Sequence, residues 1–469
     1  MSKLLVCCDG TWNDERDETH VWRIATVAKA DPDIIDSSRV HYDSGVGTDD
    51  PKDTDNGQGV LRWLADWIGG GAFGKGISKN IVEAYEFIVD RYEPGDEIYM
   101  IGFSRGAFTV RSLAGLMGQC GLAARNSGPA VCKTAYEAYR YRDDEAMGKD
   151  LLKTWNESAD GKAARREVPI AFLGVFDTVG ALGIPIGILQ RGDELLNPRR
   201  KVQFHDTRLG KSVLHAAQAL AVDEHRGPFV PTLWTGGERF PGQKIRQVWF
   251  SGVHSDVGGG YPEKELAGIP LAWMLGEMAE AGLDLRHAIP ESGDYRGEMH
   301  DSMSAAYKLA DLLPSMRSRV RPIGAKRPPD ADGKPVAVPG EALNWSIQER
   351  ILAGPVISGR RKGDYRPVNI QLDDGLHIHG DIGLTTSDRR REGRQAEEIA
   401  GQIAGIGFCT FVGSSRTGTR ARFSADLPPA DQLVASDVRL MADAVELTER
   451  MARIVWVARD HRELGLQFV

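Results

Sequence analysis

The chain has 469 residues, 58 Lys and Arg against 66 Asp and Glu, a formal net charge of −8 and 41% hydrophobic residues. That acidic balance argues against a general nucleic-acid binder, because phosphate backbones select basic surfaces. The length and a mean hydropathy of −0.32 predict a globular chain with one large domain carrying insertions and a smaller C-terminal part.

The apolar run at 3–8 is too short for a signal-peptide core, and no stretch approaches a membrane span. The expectation is a soluble chain, cytoplasmic as made, with secretion that needs no signal peptide left open. Cys7, Cys8, Cys120, Cys132 and Cys409 are odd in number and form no CxxC pair, so they read as reduced thiols rather than a disulfide frame or zinc site.

In chain order, 3–8 reads as a buried strand ending at Asp9-Gly10, about 20–30 as a helix and 39–42 as a strand. Residues 69–76, Gly-rich, lack the Gly-x-x-x-x-Gly-Lys-[Ser/Thr] form and read as a flexible loop. Residues 77–92 carry helical spacing, with Ile77, Ile81, Tyr85, Ile88 and Val89 on one face. Residues 97–102 read as a strand, 105–117 as a helix, 170–176 and 245–251 as strands, and 270–281 as a helix. This alternation predicts an α/β fold with a mostly parallel central sheet covered by helices on both faces.

Between the core strands, residues 123–168 read as an inserted helical cap, able to act as a lid. Basic residues such as Arg140, Lys149 and Arg165 lie in it, interleaved with acids as on a solvated face. The apolar, Gly/Pro-punctuated stretch 181–189 fits either a substrate mouth or an ordinary buried loop. Residues 322–340 are Pro/Gly/Lys-rich and read as a surface loop. The catalytic domain is expected over 1–370. Residues 371–469 form a C-terminal region of unassigned role. A long amphipathic helix is expected there over 437–458, with Val438, Met441, Val445, Thr448, Ala452 and Val455 as its stripe.

The chemistry centres on Gly102-Phe103-Ser104-Arg105-Gly106, which follows a strand and opens a helix. Glycines flank the serine because a side chain at either would clash in so sharp a turn. The turn lifts Ser104 to a helix N-terminus, where backbone N–H groups favour developing negative charge. The Arg105 N–H is then one oxyanion donor.

A nucleophilic serine needs a base, and the base an orienting acid, in the chain order Ser, acid, His. Asp177 ends one apolar strand and His254 another, both where a strand meets small residues. Asp256, two residues past His254, remains open as the acid, as a hydrogen-bond partner orienting the loop or as a metal ligand. His300 is the reserve base. His205, His215 and His225 lack a strand-end setting. His377 and His379 have an alternation that zinc sites use, but with no partner group they read as part of a strand.

Together these segments resemble a bacterial α/β-hydrolase domain family typified by type VI secretion phospholipase effectors. The resemblance rests on Cys8-Asp9-Gly10-Thr11-Trp12-Asn13, Gly45-Val46-Gly47-Thr48, the run from Tyr92 to Phe108 around Ser104, Phe176-Asp177-Thr178-Val179, Asp223-Glu224-His225-Arg226 and the run from Gly252 to Tyr261. It implies an α/β-hydrolase-like fold and a triad of Ser104, Asp177 and His254. It also puts the Asp9–Asn13 loop at the border of the site, with the Gly10 or Thr11 backbone as second oxyanion donor and Asp9 as a secondary candidate. The implied activity is a serine ester hydrolase of lipase or phospholipase type, with no cofactor and no metal. A small-ester or thioester hydrolase and a non-catalytic hydrolase-like binding module are the alternatives. The expected partners are a lipid or small ester and no nucleic acid. Peripheral membrane contact is compatible with this reading, and the sequence leaves the oligomeric state open.

Overall fold

The computed structural model describes residues 2–10, 13, 15–45, 71–142, 148–179, 208–227, 229–236, 240–289, 293–303, 317–324, 327–330, 333–358 and 361–370, together with strand His377–His379 and the strands of the C-terminal region. Two compact units divide at Gly383/Leu384.

The first unit is built on an eight-stranded sheet. Its strands are β1 (Lys3–Cys8), β2 (Val40–Asp43), β3 (Glu97–Phe103), β4 (Ile170–Phe176), β5 (His215–Ala221), β6 (Lys244–Phe250), β7 (Glu341–Asn344) and β10 (His377–His379). A small antiparallel hairpin, β8 (Pro355–Ser358) and β9 (Arg361–Asp364), lies outside it. The order in the sheet is β10-β7-β6-β5-β4-β3-β1-β2, and every pairing is parallel. Parallel strands need crossovers that cover both faces, so the central strands β1, β3 and β4 are largely apolar on both sides.

The alternation along β3 makes this concrete. Ile98 and Met100 enter the core under one helix layer, while Tyr99, Ile101 and Phe103 enter the other. The first layer contains α2 (Gly71–Arg91) and α3 (Ser104–Cys120); the second contains α1 (His20–Ala30) and α8 (Glu265–Glu280). The expected helix over 77–92 is therefore present but begins earlier. Six residues of the supposed Gly-rich loop, from Gly71 to Gly76, form its first turns, because the packing of the apolar face outweighs the weak helix preference of glycine.

The insertion after α3 is helical as expected: α4 (Pro129–Arg140), α5 (Gly148–Glu157) and α6 (Ala159–Ala163). Its described contacts do not support a lid. Trp155 Nε1 donates to the Cys120 carbonyl at 3.0 Å, Tyr136 and Arg140 reach Ser78 on α2, and the Tyr139 ring lies beside Gly115. These partners lie on α2 and on the half of α3 remote from Ser104. The segment thickens the helix layer, since Cys132, Ala135, Tyr136 and Tyr139 are buried there.

β5 and β7 are not evident from the sequence. β5 reads His-Ala-Ala-Gln-Ala-Leu-Ala, a composition of helix formers, and tertiary pairing on both sides overrides that preference. Among the described residues, this unit also holds the helices α7 (His254–Gly258) and α9 (Trp345–Leu352).

The second unit is a closed antiparallel barrel. Its strands are β11 (Glu398–Ile403), β12 (Gly407–Ser414), β13 (Gly418–Arg422), β14 (Asp437–Ala442), β15 (Met451–Val457) and β16 (Glu463–Phe468), ordered β11-β12-β13-β16-β15-β14. The long helix expected over 437–458 is thereby corrected. β14 and β15 occupy that range and pair with each other, Val438 opposite Ala452. The stripe took one apolar residue per turn, but Ile454-Val455-Trp456-Val457 is a β-branched and aromatic run that fits a pleated surface better. β10 pairs with β7, so the first unit extends past the expected limit at residue 370.

Candidate active site

The strand order reverses between β1 and β3, with β2 on one side and β4 on the other. Ligands of open parallel sheets sit outside the carboxyl ends of strands at such a switch point. Asp9 and Gly10 follow β1 there and Ser104 follows β3. The acid and base candidates come from the same edge, Asp177 after β4 and His254 after β6, with β5 between the two strands.

Ser104 opens α3 with φ +56°, a left-handed conformation that a non-glycine residue adopts only when its surroundings enforce it. Those surroundings are close backbone contacts. A Cβ on Gly102 would lie 2.6 Å from the Ala107 backbone, and one on Gly106 would lie 2.0 Å from the Cys8 carbonyl oxygen. Gly102 is required by the turn itself, and Gly106 by the close approach of the helix start to the end of β1. Ser104 is 7% exposed, while Asp177 is fully buried, so the only opening of the two is at the serine.

His254 begins the short helix α7, and its Nδ1 lies 2.6 Å from Asp177 Oδ2. An ionised carboxylate only accepts, so Nδ1 carries the proton and Nε2 of the neutral ring is an acceptor. The imidazole is walled by aromatic rings. Phe103, the residue before Ser104, has its centroid 4.7 Å away, and Phe229 stands edge-on at 4.9 Å. Gly258 makes room for this: a Cβ there would fall within the Phe103 ring at 2.0 Å. Burial lowers the His254 pKa below its ordinary value, only partly offset by the Asp177 hydrogen bond and charge.

Asp177 accepts from the Ala221 N–H at 3.0 Å and from both ends of the Arg321 guanidinium, at 2.7 and 2.9 Å. Burial alone would raise its pKa, but Arg321 and His254 hold it well below the usual carboxylate range. Arg321 is not identifiable from the sequence. It sits in Arg317-Ser318-Arg319-Val320-Arg321, a run that reads as a solvated basic stretch, and its burial comes only from the fold.

Glu224 is a second residue whose place only the structure reveals. Its Oε2 accepts from the His254 backbone N–H at 3.3 Å, its Oε1 from Ser302 Oγ at 3.0 Å, and it pairs with Arg226 at 2.8 Å. Burial pushes its pKa up, but Arg226 brings it down to about 2.

Asp256 does not reach the His254 ring through any described bond. Its Oδ2 accepts from the Val253 and His300 N–H groups at 3.0 and 3.1 Å, and its Oδ1 lies 2.6 Å from His300 Nδ1. Of the roles open to it, the geometry supports the loop-orienting one. His300 is held at its other nitrogen by Glu263, 3.1 Å away, and stacks on Tyr261 at 3.8 Å. With a carboxylate on each ring nitrogen, His300 has no acceptor nitrogen to offer a serine.

Asp9 accepts from Thr19 Oγ1 at 2.5 Å, Tyr42 Oη at 3.0 Å and the Gly10 N–H at 2.7 Å. Burial pushes its pKa up to about 6 despite these bonds. A Cβ on Gly10 would lie 3.2 Å from the Ser104 Cβ, so the loop does border the serine. The Gly10 amide, however, is already engaged by Asp9. Thr11, the apolar stretch 181–189 and His205 lie outside the described residues. His215 starts β5 at the opposite sheet edge, with Nε2 2.7 Å from Glu277. Among the described residues, no helix is long and apolar enough to cross a membrane.

A family model described as "T6SS, Phospholipase effector Tle1-like, catalytic domain" matches residues 2–277. The uncharacterized protein YEL023C of Saccharomyces cerevisiae is 32% identical over 166 residues, which are 35% of this chain and 22% of that protein. The chain thus matches only about a fifth of that relative's length. Among solved structures, an uncharacterized protein from Pseudomonas aeruginosa aligns at 19% identity and a TM-score of 0.31, covering 60% of this chain and 46% of that one.

Proposed function

The chain belongs to the Tle1-like phospholipase effector catalytic-domain family of type VI secretion, and from that premise we propose that it is a serine hydrolase cleaving the acyl esters of lipids. The observation that carries the reading is the buried Asp177–His254 pair, 2.6 Å apart, on the same sheet edge as a left-handed Ser104 at a helix N-terminus.

In this reading Ser104 Oγ attacks the acyl carbonyl carbon while His254 Nε2 takes the hydroxyl proton. The carbonyl oxygen becomes an oxyanion, which accepts from the Arg105 amide at the start of α3. Collapse of the tetrahedral intermediate breaks the ester C–O bond, and His254 gives its proton to the leaving alkoxide. Water then attacks the acyl-enzyme, His254 takes a proton from it, and Ser104 regains that proton as the fatty acid leaves. Asp177 keeps Nδ1 protonated and stabilises the transient imidazolium. Asp256 and His300 brace the loop that carries His254.

The test is a series of p-nitrophenyl esters from acetate to palmitate, with phospholipid vesicles and a fluorophosphonate probe. Longer chains should be favoured, at roughly 0.8 kcal/mol per buried methylene, and vesicles should release fatty acid. A steep preference for acetate, with inert vesicles, would leave a small-ester or thioester hydrolase. Failure of the probe to label the protein would point to a non-catalytic binding module.

A further inference from the structure

The family match ends at residue 277, but the acid of the site is gripped by a residue beyond it. Arg321 is 4% exposed, and its guanidinium takes both Asp177 oxygens in a fork. The same two nitrogens donate to the carbonyls of Ala221 at 2.7 Å and Phe229 at 2.6 Å. The backbone around Arg321 is stapled to the sheet edge. Arg319 N–H and Ser318 Oγ donate to the His225 carbonyl at 2.9 and 3.1 Å. Asn369 Nδ2 donates to the carbonyls of Val222 and Arg321 at 3.0 and 3.2 Å.

We propose that Arg321 is a positioning residue for the hydrolytic site: it fixes both carboxylate oxygens of Asp177 and pairs with their charge, so that the acid holds the His254 ring in one orientation. The proposal rests on the Ser104–His254–Asp177 reading above. Three features support it.

The first is geometry. Oδ2 of Asp177 is shared by His254 Nδ1 and Arg321, so any rotation of the carboxylate that loosened one contact would loosen the other. A planar fork allows one orientation of the carboxylate, which a lysine could not enforce. The second is that Arg321 also holds the Phe229 carbonyl, and the Phe229 ring packs edge-on to the His254 imidazole. One side chain therefore sets the acid and one wall of the base.

The third is charge. Among the described residues, the charged groups that weigh most on His254 are Asp177, Arg226 and Glu224, with Arg321 acting through Asp177. Glu224 is paired with Arg226 and Asp177 with Arg321. With both acids matched by arginines, burial dominates and the imidazole stays neutral.

The experiment compares the pH dependence of kcat and kcat/KM on a soluble ester for the full chain, Arg321→Gln, Arg321→Lys and Ser104→Ala. Arg321→Gln should move the acid limb of kcat/KM upward by about one pH unit, since an unmatched Asp177 attracts a proton to the pair, and should lower kcat at least about tenfold. Arg321→Lys keeps the charge but loses the fork, so the limb should stay while kcat falls. An acid limb unmoved in Arg321→Gln would overturn the proposal. If that variant does not fold, wild-type kcat in Arg321→Lys would overturn it instead. Ser104→Ala separates the two readings: substantial residual activity there would sink the triad, whereas an inactive Ser104→Ala with an unmoved limb in Arg321→Gln would sink only the role of Arg321.

Discussion

His254 Nδ1 lies 2.6 Å from Asp177 Oδ2, and the bond joins residues that end two non-adjacent strands of one sheet, β6 and β4. Between those strands lies β5, whose end supplies the Ala221 N–H to Asp177. The parallel order of the sheet thus brings acid and base together from 77 positions apart, while the reversal at β1 and β3 sets Ser104 beside the Gly10 loop.

Exchanging Asp177 for Asn should remove two things at once. The amide would favour the wrong His254 tautomer, lowering kcat by about 10⁴. It would also leave Arg321 buried without its counter-charge, destabilising the fold by about 3–5 kcal/mol. Asp256→Asn should weaken only the hold on His300, with kcat within about tenfold of wild type. Denaturant titrations and single-substrate kinetics on both variants check this. Severe kinetic damage in Asp256→Asn, with Asp177→Asn active, would reverse the assignment of the acid.

Burial lowers the His254 pKa below 6.5, so the base is neutral above that lowered value and protonated below it. The acid limb of kcat/KM should therefore have its midpoint below pH 6.5. The stability linkage has the same sign. The unfolded chain binds the His254 proton more readily, so this contribution is present above pH 6.5 and is lost as pH falls through the folded-state value. Asp177, also lowered, adds a loss in more strongly acidic solution. A rate profile with an acid midpoint above pH 7 would contradict the buried-base geometry.

The φ of +56° at Ser104 predicts a stability gain that comes at the expense of activity. Glycine adopts this conformation without the Cβ clash, so Ser104→Gly should be inactive yet more stable, by about 1 kcal/mol after the entropy penalty of glycine. Thermal melts of wild type, Ser104→Gly and Ser104→Ala check it. Ser104→Gly melting below Ser104→Ala would show that the serine is not strained.

What the sequence discloses follows from how local each signal is. The elbow is legible because Gly102, Ser104 and Gly106 sit within one strand–turn–helix, and the ends of β4 and β6 are marked by apolar runs stopping at Asp177 and His254. Arg321 and Glu224 are not legible, because their burial depends on loops folding back over the sheet edge from far along the chain. β5 is hidden by its alanines, and β14 and β15 by an apolar spacing that both helix and strand satisfy.

The most direct test of the lipid-hydrolase reading is fatty-acid release from phospholipid vesicles by wild type and Ser104→Ala, both verified as folded by circular dichroism. The account predicts steady release by the wild type and a loss of at least about 10³-fold in the variant. Release by Ser104→Ala within tenfold of wild type, or none by either protein, would contradict it.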